Sequence, residues 1–159
     1  MGITGERTAL VVLDRATGYK DCFPLMSKDA IDAHGAMLEF LGEDLAKTKR
    51  IHTDMAGELI KAIRMLGTPH SKSTPYRHQS NAHCERTVRR IVEGARTLLD
   101  NAGLPSCFWI FAVRHFCFMD NTEIRNGNQP GTSDTKRGIS RESGIRSVVW
   151  WTSYPTRMQ

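Results

Sequence analysis

The sequence predicts an α/β domain, on three observations. Thr8 to Asp14, Thr-Ala-Leu-Val-Val-Leu-Asp, is a continuous apolar run rich in β-branched residues, the pattern of a buried strand. Helical spacing recurs at Ile31, Gly35, Leu38 and Leu41, at Leu59, Ile60, Ile63 and Leu66, and at Val88, Ile91, Val92, Ala95, Leu98 and Leu99. Between the first two of these patterns, the short run Arg50 to Asp54 reads as another strand, ended by a carboxylate.

The elements follow in order. Arg15-Ala16-Thr17-Gly18 supplies a turn, and Tyr19 to Leu25 a second strand, making a hairpin whose Pro24 marks a strand end or a sheet edge. Ser27 reads as an N-cap with Asp29 in the first turn, and Gly42 stops that helix. Lys47 to Arg50 is a basic entry to the third strand. Glu58 to Leu66 is a short amphipathic helix ending at Gly67, and Pro69 to Thr74 carries a weak strand signal. Pro75 to Ser80 is polar loop, and Asn81 caps a helix of about twenty residues by its period. After Leu104-Pro105-Ser106, Cys107 to Met119 is a strongly apolar last helix. Residues 1–121 thus form the domain, and 122–159 read as a poorly structured basic tail with a short strand at the isolated patch Val148-Val149-Trp150-Trp151.

A chain of 159 residues with 40% hydrophobic and 25% charged residues is long enough for one real core. The net charge of +5 points to an anionic partner, nucleic acid before membrane. No apolar run reaches membrane-span length, and no signal peptide opens the chain, so the expected compartment is intracellular, nuclear or cytoplasmic. Cys22, Cys84, Cys107 and Cys117 form no C-x-x-C pair and read as reduced core thiols.

Two carboxylates sit where chemistry is built. Asp54 ends a strand, the recurrent site position of α/β proteins, and Glu85 lies in the first turns of the longest helix. Their oxygens suit the hard cations Mg²⁺ or Mn²⁺, and two such metals can drive phosphoryl transfer when normally three carboxylates converge. Spacing alone equally allows Asp54 to cap the next helix and Glu85 to pair with Arg89.

Four blocks in order add a resemblance. The run Ser73-Thr74-Pro75-Tyr76-Arg77-His78-Gln79-Ser80-Asn81-Ala82-His83-Cys84-Glu85-Arg86 is similar to a Pro-Tyr, Pro-Gln-x-Asn-Gly, Glu-Arg pattern. His52-Thr53-Asp54-Met55-Ala56-Gly57-Glu58 is similar to a Ser/Thr-Asp-x-Gly segment. Leu10 to Tyr19, and Gly94 to Val113 with its Leu104-Pro105-Ser106-Cys107-Phe108-Trp109, complete the set. Together Ala9 to Asn121 resembles the catalytic core of retroviral and retrotransposon integrases, copia-like members above all.

That resemblance implies an RNase H-like mixed sheet flanked by helices, and metal-dependent 3′-end processing and strand transfer on DNA. It implies Asp54 and Glu85 as catalytic metal ligands for Mg²⁺ or Mn²⁺. Gln79 and Asn81 match the loop that approaches DNA ends, and Arg86, Arg89 and Arg90 are expected to contact phosphate. Retroelement ends and target duplex are the implied partners, with a homo-oligomer as the assembly.

Departures shape the expectation. His78 replaces a proline of the family loop and Ala82 a glycine, and the thirty residues between Asp54 and Glu85 are fewer than usual. The strand bearing the family's first catalytic Asp has no counterpart ahead of Thr8, so the sheet is expected to lack its first strand. Asp14, the remaining strand-end carboxylate on that side, matches an Asp of the family's second strand that is not a metal ligand, and a register shift would make it the candidate first catalytic ligand. The protein is then aggregation-prone unless Val148 to Trp151 fills the gap. The alternatives are a non-catalytic nucleic-acid-binding remnant and an RNase H-like nuclease or transposase.

Overall fold

β1 (Thr8–Asp14) is buried along its whole length, as a continuous apolar run requires of a strand covered on both faces. The structure is a computed structural model that describes residues 1–54, 56–72, 82–123 and 145–152. β2 (Lys20–Leu25) returns antiparallel to β1, with Leu13 opposite Lys20 and Thr8 opposite Leu25. Then come α1 (Ala30–Leu41), a 3₁₀ segment (Gly42–Lys47), β3 (Arg50–Thr53), α2 (Gly57–Leu66) and β4 (His70–Lys72). α3 (Ala82–Ala102), a 3₁₀ turn (Ser106–Phe108), α4 (Trp109–Thr122) and β5 (Ile145–Thr152) complete the order.

The five strands form one mixed sheet in the order β2-β1-β5-β3-β4. β5 lies between the hairpin and the β3–β4 pair, antiparallel to β1 and parallel to β3. The sheet expected to lack a central strand therefore has one, supplied from the segment read as tail. Residues 145–152 belong to the domain, which corrects the 1–121 boundary. The cause is physical: β1 and β3 each expose a ladder of unpaired N–H and C=O groups, and a run of β-branched and aromatic residues satisfies both ladders at once.

Alternation along the strands builds two cores. Leu10, Val12 and Val148 face α1 and α2 with Phe23, Met37, Ile51, Leu59 and Ile63. Ala9, Val11 and Cys22 face α3 and α4 with Ile91, Ala95, Leu99, Trp109, Val113 and Cys117. Three of the four cysteines, Cys22, Cys84 and Cys117, are buried free thiols. Burial pushes the Cys117 thiol up to about 12.

α1 buries only part of the face its large residues predict. Ala33, Ala36, Met37 and Leu41 are buried, while Ile31 is 73% exposed. Small alanines let the helix approach the sheet closely, and that packing outweighs the size of Ile31 and Leu38. Ser27 also departs from a backbone cap: its hydroxyl donates to the carboxylates of Asp29 (2.6 Å) and Asp32 (3.0 Å).

α3 and α4 meet at Gly94, where an added Cβ would come within 2.0 Å of the Phe116 ring. Gly94→Ala therefore destabilises by about 1–3 kcal/mol through overpacking, although alanine is the better helix former. A second change, Phe116→Leu, recovers part of the loss. Denaturant midpoints of the double-mutant cycle read this directly.

Candidate functional site

Asp54 follows β3 at its C-terminal end, and its Oδ1 accepts the Ala56 N–H at 3.1 Å, at the start of α2. Ala56, not Asp54, is the N-cap of α2, and no side chain caps that helix, so this bond braces the turn ahead of it. The neighbours fix its place. Thr53, fully buried, donates its hydroxyl to the Asp54 carbonyl (2.8 Å) and meets His70 Nε2 at 2.8 Å. His52 Nδ1 meets Ser71 Oγ at 3.1 Å, so both faces of β3 are tied to β4.

Glu85 stands exposed in the first turn of α3. Beside it Cys84 is buried toward β5: burial pushes its thiol up, while the neighbouring Ser147 hydroxyl and the Arg15 guanidinium pull the other way. A cleft of about 360 Å³ runs along this helix, lined by Glu85, Val88, Arg89, Val92, Glu93 and Arg96 with Trp150 of β5.

The surroundings are cationic. Arg15, exposed in the turn after β1, acts on both His52 and His83. Burial first, and then Arg15, Arg86 and Lys20, hold the His83 imidazole below its usual range. Arg15 was not singled out from the sequence, where it reads as a turn residue; only folding brings it to the start of α3. Arg86 and Arg89 are exposed along α3.

Arg90 turns elsewhere. Its Nε and Nη2 donate to Asp120 Oδ1 at 2.9 and 2.6 Å. Asp120 Oδ2 lies 2.5 Å from Lys20 Nζ, and both of those side chains are buried. Asn121 continues the clamp, accepting the Lys20 N–H (3.2 Å) and donating to its carbonyl (2.7 Å). Arg90 is therefore an anchor between α3 and α4 in this structure rather than an open phosphate contact. Lys20 and Asp120 were missed because an acid at the end of an apolar helix reads as a solvated terminus.

Asp14 does not join Asp54. It ends β1 opposite Arg146, and Arg146 is level with Ile51, three residues before Asp54. That offset is about 10 Å along the strands and about 10 Å across them. Its carboxylate instead accepts the Ala16 N–H (3.0 Å) and the Thr17 hydroxyl (2.9 Å), closing the hairpin turn. A strand-end Asp before a Thr-containing turn makes this local bond readily, which is the physical reason it fails as a first ligand. Gln79 and Asn81 lie outside the described residues.

The donors among the described residues do not by themselves make a two-metal centre. Among the described residues no three His, Cys, Asp or Glu side chains come together as ligands. β5, which holds the sheet position beside β3, reads Ile-Arg-Ser-Val-Val-Trp-Trp-Thr and offers no carboxylate. Among the described residues, Asp54 and Glu85 stand on separate elements without the third acid that such a site needs.

No family model matches the chain. It is 28% identical over 126 residues to the retrovirus-related Pol polyprotein from transposon RE2 of Arabidopsis thaliana, covering 76% of this chain and 9% of that protein. The Pol polyprotein from transposon RE1 of the same plant is 28% identical over 120 residues, covering 72% and 8%. That from transposon TNT 1-94 of Nicotiana tabacum is 36% identical over 80 residues, covering 47% and 6%. The chain thus spans less than a tenth of the length of these relatives. Among solved structures, a chain of the simian T-cell lymphotropic virus intasome in complex with PP2A regulatory subunit B56 gamma matches with a TM-score of 0.62 at 20% identity. That match covers 80% of this chain and 47% of the other. Among the described residues no helix is long and apolar enough to cross a membrane. The chain is thus similar to a segment of retrotransposon Pol polyproteins and shares the fold of a chain of a retroviral intasome.

Proposed function

We propose that this chain is an intracellular, DNA-binding integrase-type core that holds DNA without carrying out metal-dependent end processing and strand transfer. The observation that carries the reading is the central strand: β5 stands beside β3 and brings no carboxylate toward Asp54 and Glu85. The DNA side rests on the exposed Arg86 and Arg89 of α3, the Arg15 turn beside them and the net charge of +5. Such contacts would take phosphate and position a duplex without reading its sequence. Phe111 and Phe118, seven residues apart on α4 and 58% and 65% exposed, support self-association as the accompanying assembly.

The test is binding of labelled duplex DNA across a salt series. Affinity falls with salt, and the double change Arg86→Glu with Arg89→Glu lowers the slope of log K against log salt by about two, roughly one per phosphate contact. An unchanged slope and affinity in that variant would remove α3 from the DNA surface. The catalytic reading keeps one specific support, the pairing of Asp54 with Glu85 in one integrase-like block order, with Mg²⁺ or Mn²⁺ as the cations their oxygens would hold.

A further inference from the structure

The hairpin turn after β1 and the start of β3 stand at the same end of the sheet. Asp14, Arg146 and Ile51 form one row across β1, β5 and β3, and Arg50 pairs with Ile145 one row further. Arg15 follows Asp14 in the turn, so it lies two strand spacings from Arg50, roughly 10 Å. After burial, Arg15 is what lowers the His52 imidazole, as its place beside β3 requires. Arg64 comes to the same end on α2: it lies in the last turn, and its carbonyl accepts the Gly67 N–H at 3.2 Å. The chain then returns to the sheet, where the Pro69 carbonyl accepts the Ile51 N–H at 2.9 Å, one residue from Arg50. On the other flank α3 opens, and His83 in its first turn feels both Arg15 and Arg86.

Separate elements thus bring cations to one end of the sheet. Arg86, Arg15, Lys49, Arg50 and Arg64 are all exposed there. Among the described residues no carboxylate forms an ion pair with Arg15, Arg50 or Arg64. Two acids of this end are engaged: Asp14 closes the hairpin turn, and Asp44 pairs with Lys47 at 3.0 Å. Glu43 and Glu85 are exposed. Like charges gathered this way repel one another, and a polyanion relieves that repulsion.

We infer that a DNA duplex crosses this end of the sheet, from Arg86 through Arg15 and Arg50 to Arg64, instead of lying along α3. The inference deepens the DNA-binding reading above and rests on it. A duplex carries one charge per about 1.7 Å of its axis, so the span from Arg15 to Arg50 alone meets about six. Guanidinium forks match phosphate oxygens in pairs, and contacts of this kind hold the backbone without reading bases.

Binding of one labelled DNA duplex across a salt series tests the path, with the wild type beside three double variants of the full chain. Arg50→Gln with Arg64→Gln removes the far half of the track. Arg86→Gln with Arg89→Gln removes the α3 half. Arg7→Gln with Lys28→Gln removes two exposed cations from the opposite end of the sheet, where β1 begins and β2 ends, and controls for net charge. The first two pairs each lower the slope of log K against log salt by about two, and the control leaves it unchanged. All the changed side chains are exposed, so circular dichroism shows wild-type folding. Should the Arg50 and Arg64 pair unfold, Arg64→Gln alone must lower the slope by about one. An unchanged slope in the folded Arg50 and Arg64 variant overturns the inference, as does an equal drop in the control. If the α3 pair still lowers the slope, DNA binding stands and the path alone falls. A wild type without salt-dependent binding sinks the reading beneath it and the path together.

Discussion

Asp120→Ala lowers the stability of the domain by about 3–5 kcal/mol, the loss expected when one partner of a buried ion pair is removed. Asp120 is 4% exposed and serves two cations at once. Its Oδ2 meets Lys20 Nζ at 2.5 Å, and its Oδ1 takes two bonds from Arg90. Without it the Lys20 ammonium, whose side chain is 7% exposed, has lost its carboxylate in a place where water cannot replace it. The Arg90 side chain is half exposed, so its share of the loss is small, within the range of surface pairs. The double change Lys20→Met with Asp120→Leu recovers most of the stability, because an apolar pair of similar volume avoids the desolvation that the ions incur. Urea midpoints at constant slope measure all three proteins. Equal losses in the single and double variants would contradict the account.

Ending the chain at residue 144 abolishes cooperative unfolding. β5 pairs with β1 from Thr8 to Asp14 and with β3 from Arg50 to Thr53, so its removal strips the ladder from two strands in the middle of the sheet. It also takes Val148, 1% exposed, from the core shared by α1 and α2. Two long apolar edges remain, the condition that promotes strand-to-strand aggregation. A single change makes the same point more gently: Val148→Asp places an unpaired carboxylate in that core and costs several kcal/mol. Circular dichroism melts and light scattering read both. A sharp thermal transition in the 1–144 chain would show that β5 is dispensable.

Much of the fold was legible in the residues. The run Thr8–Asp14 and the short strand before Asp54 announced themselves by burial pattern and by a carboxylate at a strand end. The period of α3 was legible too, with Ile91, Ala95 and Leu99 on the buried side. The place of β5 was only half legible. Val148-Val149-Trp150-Trp151 reads as a strand, but nothing local separates an edge strand from a central one, and its partner β1 lies more than a hundred residues earlier. The face of α1 was read only in part: Leu41 is buried as its spacing implies, but Ile31 is not, because periodicity weighs large residues while close packing on a sheet selects small ones such as Ala33.

The candidate site was legible in part for similar reasons. Asp54 and Glu85 were found by their settings, and the structure places them on β3's end and α3's first turn. Arg86, Arg89 and Arg90 looked alike in sequence. Each residue turns about 100° around the helix, which carries Arg90 away from its neighbours and toward α4. Its engagement with Asp120 depends on a helix thirty residues later and could not be seen locally. Asp14 was weighed as a ligand because strand ends are common site positions, yet register puts it at the opposite end of the sheet.

On the proposed function, the carboxylate-free central strand leaves this domain able to hold DNA but not to cut or join it. Strand transfer and end nicking of labelled duplex DNA, measured in Mg²⁺ and in Mn²⁺ for the wild type beside Glu85→Gln, tests that most directly. The account predicts identical, background-level product from both proteins in either metal. Product from the wild type that Glu85→Gln abolishes would contradict it.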